Sequence, residues 1–152
     1  MAEQKSGDKA ADGGFILMSD GSGMEIFTSL GKMSRDTGAI TVRAETAVIN
    51  SLKSSGFTLP EITRLVVSKR SLERRQQNRE PLSATESDRA LRLSRIHDHA
   101  VRVFGSAEKA NRWLRKPSRA LDGVVPLDLL ASETGAHIVD SELHAIDHGM
   151  FA

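Results

Sequence analysis

Residues 83–105 read SATESDRALRLSRIHDHAVRVFG, and the two ends of this stretch are as informative as its middle. Ser83-Ala84-Thr85-Glu86 is a capping box, in which the Ser83 hydroxyl takes an orphan amide one turn in while Glu86 reaches back to the Ser83 amide. Ala90, Leu93, Ile96 or His97, Ala100 and Phe104 follow at three- and four-residue spacing, the period of one helix face. Gly105 suits the left-handed residue that ends a helix. The spacing predicts one helix of roughly 22 residues, about 33 Å long.

The flanks are helical too. Upstream, Thr46 to Ser54 carries Ala47, Val48, Ile49 and Leu52 inward and ends at Gly56. Thr58 is placed to cap the next helix, with Pro60 in its first turn, Glu61 at the positive end of its dipole and Ile62, Leu65 and Val66 as its buried stripe. Lys69 to about Asn78 forms a third short helix with a single large apolar residue, Leu72. Downstream, a helix from Ser106 to Lys116 is closed by Pro117, and Asp122-Gly123 marks a turn. Pro126 opens a short helix through Leu129 and Leu130. A last helix, Glu133 to His148 with Ser132 as cap, aligns Ala136, Val139, Leu143 and Ile146 and stops at Gly149. No alternating strand of five or more residues follows residue 43, so the fold class is all-α. Residues 1–38, rich in Gly, Ser and Asp, are expected to be a flexible N-terminal tail.

Of the 152 residues, 39% are hydrophobic and 27% charged, a globular balance. There is no Cys, which excludes disulfides, thiolate metal sites and a cysteine nucleophile. The early apolar run Phe15-Ile16-Leu17-Met18 falls far short of the roughly 20 residues that cross a bilayer, and a soluble cytoplasmic protein is expected. The 21 basic and 20 acidic residues nearly cancel, but they are sorted along the chain. Residues 39–82 hold Arg43, Lys53, Arg64, Lys69, Arg70, Arg74, Arg75 and Arg79 against only Glu45, Glu61, Glu73 and Glu80. A local positive field of this kind is how a nucleic-acid-reading element looks.

Two short helices joined tightly, with a cationic second helix, match a helix-turn-helix. If Leu72 faces the core, a step of about 100° per residue puts Arg70, Arg74 and Gln77 on the opposite side. There Arg can donate two hydrogen bonds to guanine and Gln can pair with adenine, while Lys69, Arg75 and Arg64 flank the face as phosphate contacts. Leu65-Val66-Val67-Ser68 lacks the glycine that most such turns use. The competing reading is a helix face that is merely solvated.

Five histidines raise the question of a metal. His144 and His148 stand four apart on one helix face, but the intervening residues lack the glutamate of a zinc-protease helix and spacing places no third ligand, so ordinary surface histidines are expected. No glycine-rich phosphate loop and no Ser/His/Asp order is present, and a non-enzymatic protein without cofactor is expected. Trp113, the one Trp, reads as packing near Pro117 or Leu121. The end of the sequence, Gly149-Met150-Phe151-Ala152, is apolar and either folds back or plugs a pocket elsewhere.

Taken together, Ser68-Lys69-Arg70-Ser71-Leu72-Glu73-Arg74-Arg75, Ser83 to Leu93 with Glu86-Ser87-Asp88-Arg89, Phe104-Gly105, Ala110-Asn111-Arg112-Trp113-Leu114, Pro126-Leu127-Asp128-Leu129-Leu130 and His148-Gly149-Met150-Phe151-Ala152 resemble the Xre/MbcA/ParS antitoxin family, in particular the antitoxins of bacterial RES–Xre type II toxin–antitoxin modules. The resemblance covers about 43–152. It implies an Xre-like helix-turn-helix DNA-binding domain over 39–98 and a toxin-binding domain over 99–152. The chain would then neutralise a cognate RES-domain toxin, which degrades NAD⁺, and repress its own operon by binding operator DNA as a homodimer within a larger complex. The implied DNA-binding residues are Arg64, Ser68, Lys69, Arg70, Ser71, Arg74, Arg75 and Gln77; the implied toxin-binding residues are Trp113, Arg115, Arg119, His148, Gly149, Met150, Phe151 and Ala152. Family members often read Pro-Arg-Arg-Thr-Leu where this chain has Ser68-Lys69-Arg70-Ser71-Leu72, a departure at three of five positions that leaves the operator sequence open. The alternative is a stand-alone helix-turn-helix regulator with no toxin partner.

Overall fold

The structure, a computed structural model, describes residues 34–36, 39–41, 44 and 46–149. A small antiparallel pair comes first: β1 (Ser34–Asp36) and β2 (Ala39–Thr41), with Arg35 opposite Ile40. This hairpin starts inside the stretch expected to be a tail; its three-residue strands are too short for the alternation test to detect. The rest of the expected tail, 1–33 with 37 and 38, lies outside the described residues.

From there on the all-α expectation holds. The helices are α1 (Ala47–Ser54), α2 (Leu59–Leu65), α3 (Lys69–Asn78), α4 (Ala84–Phe104), α5 (Ala107–Leu114), α6 (Pro126–Leu129) and α7 (Glu133–Asp147), with a single 3₁₀ turn at Arg119–Leu121. Local chemistry sets their ends. The Ser83 capping box forms, with the Glu86 amide on Ser83 Oγ at 3.2 Å and the Ser83 amide on Glu86 Oε2 at 2.8 Å. Gly105 closes α4 in the left-handed region at φ 77°. Thr58 and Glu61 make a second capping box on α2, and Ser68, Ser106 and Ser132 each accept an amide from the first turn of α3, α5 and α7.

The long helix α4 is the centre of the molecule. Its buried residues are Ser87, Ala90, Leu93, Ser94, Ile96, His97, His99 and Ala100, which at 100° per residue cover an arc of about 240° rather than a single stripe. Both Ile96 and His97 are buried, where the periodicity asked for one of them. The neighbours explain the width: α5, α7 and α1 all pack on α4, and α6 bridges α5 and α7. Core side chains converge from every helix, among them Ile49, Leu52, Ile62, Leu72, Leu114, Leu127, Val139 and Leu143. Ser87 ties in the chain before α1: its hydroxyl accepts from the Ala44 amide at 2.8 Å and donates to the Ser83 carbonyl at 2.7 Å.

The connection from α6 to α7 is unusually close. Gly135, buried in the first turn of α7, lies so near the end of α6 that a Cβ there would sit 1.9 Å from the Leu129 carbonyl oxygen and 2.8 Å from its carbon. The Gly135 amide meanwhile donates to Ser132 Oγ at 2.9 Å. In an open helix, replacing Gly by Ala stabilises by about 1 kcal/mol. Here the sign should invert: Gly135→Ala is expected to lower stability by about 1–3 kcal/mol, because a backbone carbonyl must move. Urea unfolding checks this, and a Gly135→Ala protein as stable as the parent would show that α6 does not pack this closely on α7.

Candidate functional site

The α2–α3 pair turns without a left-handed residue. Val66 caps α2 at φ −114°, and its amide and that of Val67 both donate to the Ile62 carbonyl, at 2.8 and 3.3 Å. Among the described residues only Arg79 and Asp122 have positive φ without being glycine. The missing glycine in Leu65-Val66-Val67-Ser68 is therefore no obstacle. Val66 and Val67 are buried at 1% and 3% exposure, so apolar burial holds the corner.

On α3, Leu72 is buried and orients the helix as expected. Lys69, Arg70, Glu73, Arg74 and Gln77 are exposed and occupy an arc of about 140° on the far side. Lys69 Nζ stands 3.9 Å from Glu73 Oε1, a loose exposed pair worth little. Arg79, exposed and left-handed at the end of the helix, adds a cation outside the helical register.

The other implied DNA contacts have partners within the chain. Ser68 Oγ accepts the Ser71 amide at 3.2 Å and donates to Ser71 Oγ at 2.9 Å, so both hydroxyls belong to the helix cap. Arg75 turns inward: Nε stands 2.8 Å from Glu86 Oε2, Nη1 donates to the Pro81 carbonyl at 3.0 Å, and the side chain is 15% exposed. Arg64 Nη1 reaches Asp128 Oδ1 at 2.6 Å, joining α2 to α6 at the surface. The free cationic face thus comprises Lys69, Arg70 and Arg74 with Gln77, whereas Arg75 is held in the fold and Arg64 in an exposed pair.

A parallel division appears among residues 113–149. Arg115, at the end of α5, grips Glu61 of α2 with two hydrogen bonds, Nε to Oε1 and Nη2 to Oε2, each 2.9 Å. It also donates to the carbonyls of Gly56 and Asn111 at 2.9 Å. Asn111 Nδ2 donates to the Ser55 carbonyl at 2.9 Å, and Gly56, at φ 98°, leaves the space that Asn111 occupies. Arg115 is thus a staple between distant elements rather than an open contact. Trp113 is half-buried against the core, its ring centroid 5.4 Å from that of Phe104. Arg119 on the 3₁₀ turn and His148 at the end of α7 are exposed, and Gly149 has φ 63°. Met150, Phe151 and Ala152 lie outside the described residues.

Charge on the staple is set by competing causes. Burial pushes the Glu61 carboxyl up, but hydrogen bonds from Arg115 and Thr58, with the Arg115 charge, outweigh it and hold the group below the ordinary glutamate range. Glu133, on α7, is lowered by its hydrogen bond to Arg92 at 2.7 Å against a small burial effect, with the nearby Arg95 charge adding to it, although it is well exposed and screened.

Comparison with known proteins finds one family model and several relatives. Residues 99–149 match the family model described as the antitoxin Xre/MbcA/ParS C-terminal toxin-binding domain. The Antitoxin Xre of Pseudomonas putida is 35% identical over 98 residues, covering 64% of this chain and 62% of that protein. The Antitoxin Xre of Photorhabdus laumondii is 37% identical over 98 residues, 63% of this chain and 66% of its own length. A Sphingobium protein named Prs ADP-ribosylating antitoxin is 32% identical over 91 residues, 54% of this chain and 57% of its own. The chain spans less than two thirds of the length of each of these relatives. No helix among the described residues is long and apolar enough to cross a membrane.

The staple gives a pH test. Because Glu61 titrates lower in the folded chain than unfolded, its contribution is fully present above the ordinary glutamate range and is lost as pH falls through the lowered folded value. Glu61→Gln should therefore cost stability at pH 7 and much less near pH 3, so the two unfolding curves converge in acid. Parallel curves at both pH values would remove the ion pair as a stabilising element.

Proposed function

The chain belongs to the Xre/MbcA/ParS antitoxin family, and from that premise we propose that it neutralises a cognate RES-domain, NAD⁺-degrading toxin through residues 99–152 and represses its own operon through a helix-turn-helix within 39–98. The observation that carries the antitoxin reading is the match of 99–149 to a toxin-binding domain. The proposed division at 98/99 falls within α4, so the two activities share one helix and one core. The chain itself then supplies surfaces rather than chemistry, with Arg119 and the His148–Gly149 end as the toxin-facing candidates that the fold leaves uncommitted, and the half-exposed edge of Trp113 beside them.

For DNA the support is geometric. Arg70, Arg74 and Gln77 are solvent-facing on a capped helix whose opposite side is anchored by Leu72. A rigid helix with two arginines and an amide on one face suits a major groove. Two-fold operators call for a homodimer, which sets two such helices about 34 Å apart. A second reading of the toxin has its own support: the Sphingobium relative is named for ADP-ribosylation of Prs. Co-expression with the neighbouring gene product, followed by assays of both free NAD⁺ and ADP-ribose transferred to protein, separates the two.

Replacing Arg70 and Arg74 by Ala should weaken operator binding by about 1–3 kcal/mol each while leaving growth rescue from the toxin intact. Arg75→Ala should behave differently, lowering thermal stability through loss of the Glu86 pair. A double Arg70/Arg74 variant that shifts operator DNA normally in a gel assay, or that stays folded yet fails to rescue growth, would overturn the assignment of separate faces.

A further inference from the structure

His144 and His148 lack a third ligand in sequence, but folding supplies one and adds a fourth group. Asp140 precedes His144 by one turn of α7, and His99 arrives from α4, 41 residues away. His99 Nδ1 and Asp140 Oδ1 are 2.8 Å apart, His144 Nε2 is 3.9 Å from Asp140 Oδ2, and the two imidazole rings lie 4.5 Å apart by centroid. One donor atom from each of His99, Asp140 and His144 lies within 4.8 Å of the other two. His148 sits a further turn along, its ring 6.2 Å from that of His144.

We propose that His99, Asp140 and His144 form a binding site for a divalent transition-metal cation of the zinc type, clamping the end of α7 onto α4. Two imidazoles and one carboxylate suit zinc, nickel or cobalt; magnesium and calcium prefer all-oxygen shells. Ligand bonds of about 2.0–2.2 Å at tetrahedral angles place donor atoms about 3.3 Å apart, so the His99–Asp140 pair at 2.8 Å must open slightly and His144 must close in. The means is present: His99, 7% exposed at its side chain, and Asp140, 28% exposed, are held by packed helices, whereas His144 is 59% exposed and free to swing. The fixed pair pre-orients the site and the mobile residue completes it, leaving a fourth position for water or His148. The metal would bridge the two longest helices of the described residues, within the stretch matched to toxin binding.

The test uses the full chain, stripped with a chelator, dialysed and titrated with zinc chloride by calorimetry and thermal melting. One equivalent should bind per chain with micromolar or tighter affinity, and melting should rise by about 5 °C or more at saturating metal. His144→Ala should weaken binding at least tenfold with an unchanged circular dichroism spectrum, since the side chain is exposed. Asp140→Asn, which keeps the shape, should do likewise, and His137→Ala, at an exposed α7 position outside the cluster, should bind as the parent does. Absence of binding at 100-fold excess zinc overturns the site, as do undiminished affinity in His144→Ala, loss of affinity in His137→Ala, or an equal melting shift with magnesium.

Discussion

The burial of α4 is the constraint on which the rest of the structure depends. A helix hidden over about 240° must be surrounded, and three helices comply. Alternation of size along it makes this possible: Leu93 and Ile96 supply volume, while Ser87, Ala90, Ser94 and Ala100 allow neighbouring helices to approach. Each large aliphatic residue buried here contributes about 1.5–3 kcal/mol, whereas a serine contributes only if its hydroxyl is satisfied. Ser87 meets that condition through Ala44 and Ser83.

A second consequence is the sorting of cations by depth. Arginines 74 and 75 are neighbours in sequence, yet one is exposed and the other is 15% exposed between Glu86 and Pro81. A shift of one residue turns a helix by 100°, enough to convert a surface contact into an internal clamp. Arg115 shows the same conversion more strongly, since its five donors match two carboxylate oxygens and the carbonyls around them, and lysine has no such fork.

What could be read from the sequence follows from the range of the interaction. The Ser83 capping box, the Thr58 cap, the Gly105 stop, the inward stripe of α7 and the orientation of α3 by Leu72 involve residues within a turn or two of one another, and all were legible. The hairpin at 34–41 was not, because three-residue strands carry no period. Nor were the pairs Arg115–Glu61 and His99–Asp140, separated by 54 and 41 residues, whose meeting depends on how α5 and α7 pack against other helices. The reason for a glycine at 135, the Leu129 carbonyl, is visible only once α6 is in place. The candidate DNA face was half legible: residue types and angles pointed outward correctly for Arg70, Arg74 and Gln77, but spacing could not say that Arg64 and Arg75 would find acidic partners.

These contacts determine how the two proposed activities can be separated. Arg115 joins α5 to α2 and so spans the proposed boundary between the halves, while α4 passes through it without a break. Damage to either is damage to a shared core, and the DNA and toxin surfaces should fail together when it occurs. Arg70 and Arg74 have no such role, since they project from a helix anchored from its other side by Leu72, the Ser68 cap and Arg75. Functional independence in a chain of this size therefore does not require two separately folded domains. It requires only that recognition residues stay off the arcs that packing uses, and α3 meets that requirement with about 140° of its surface.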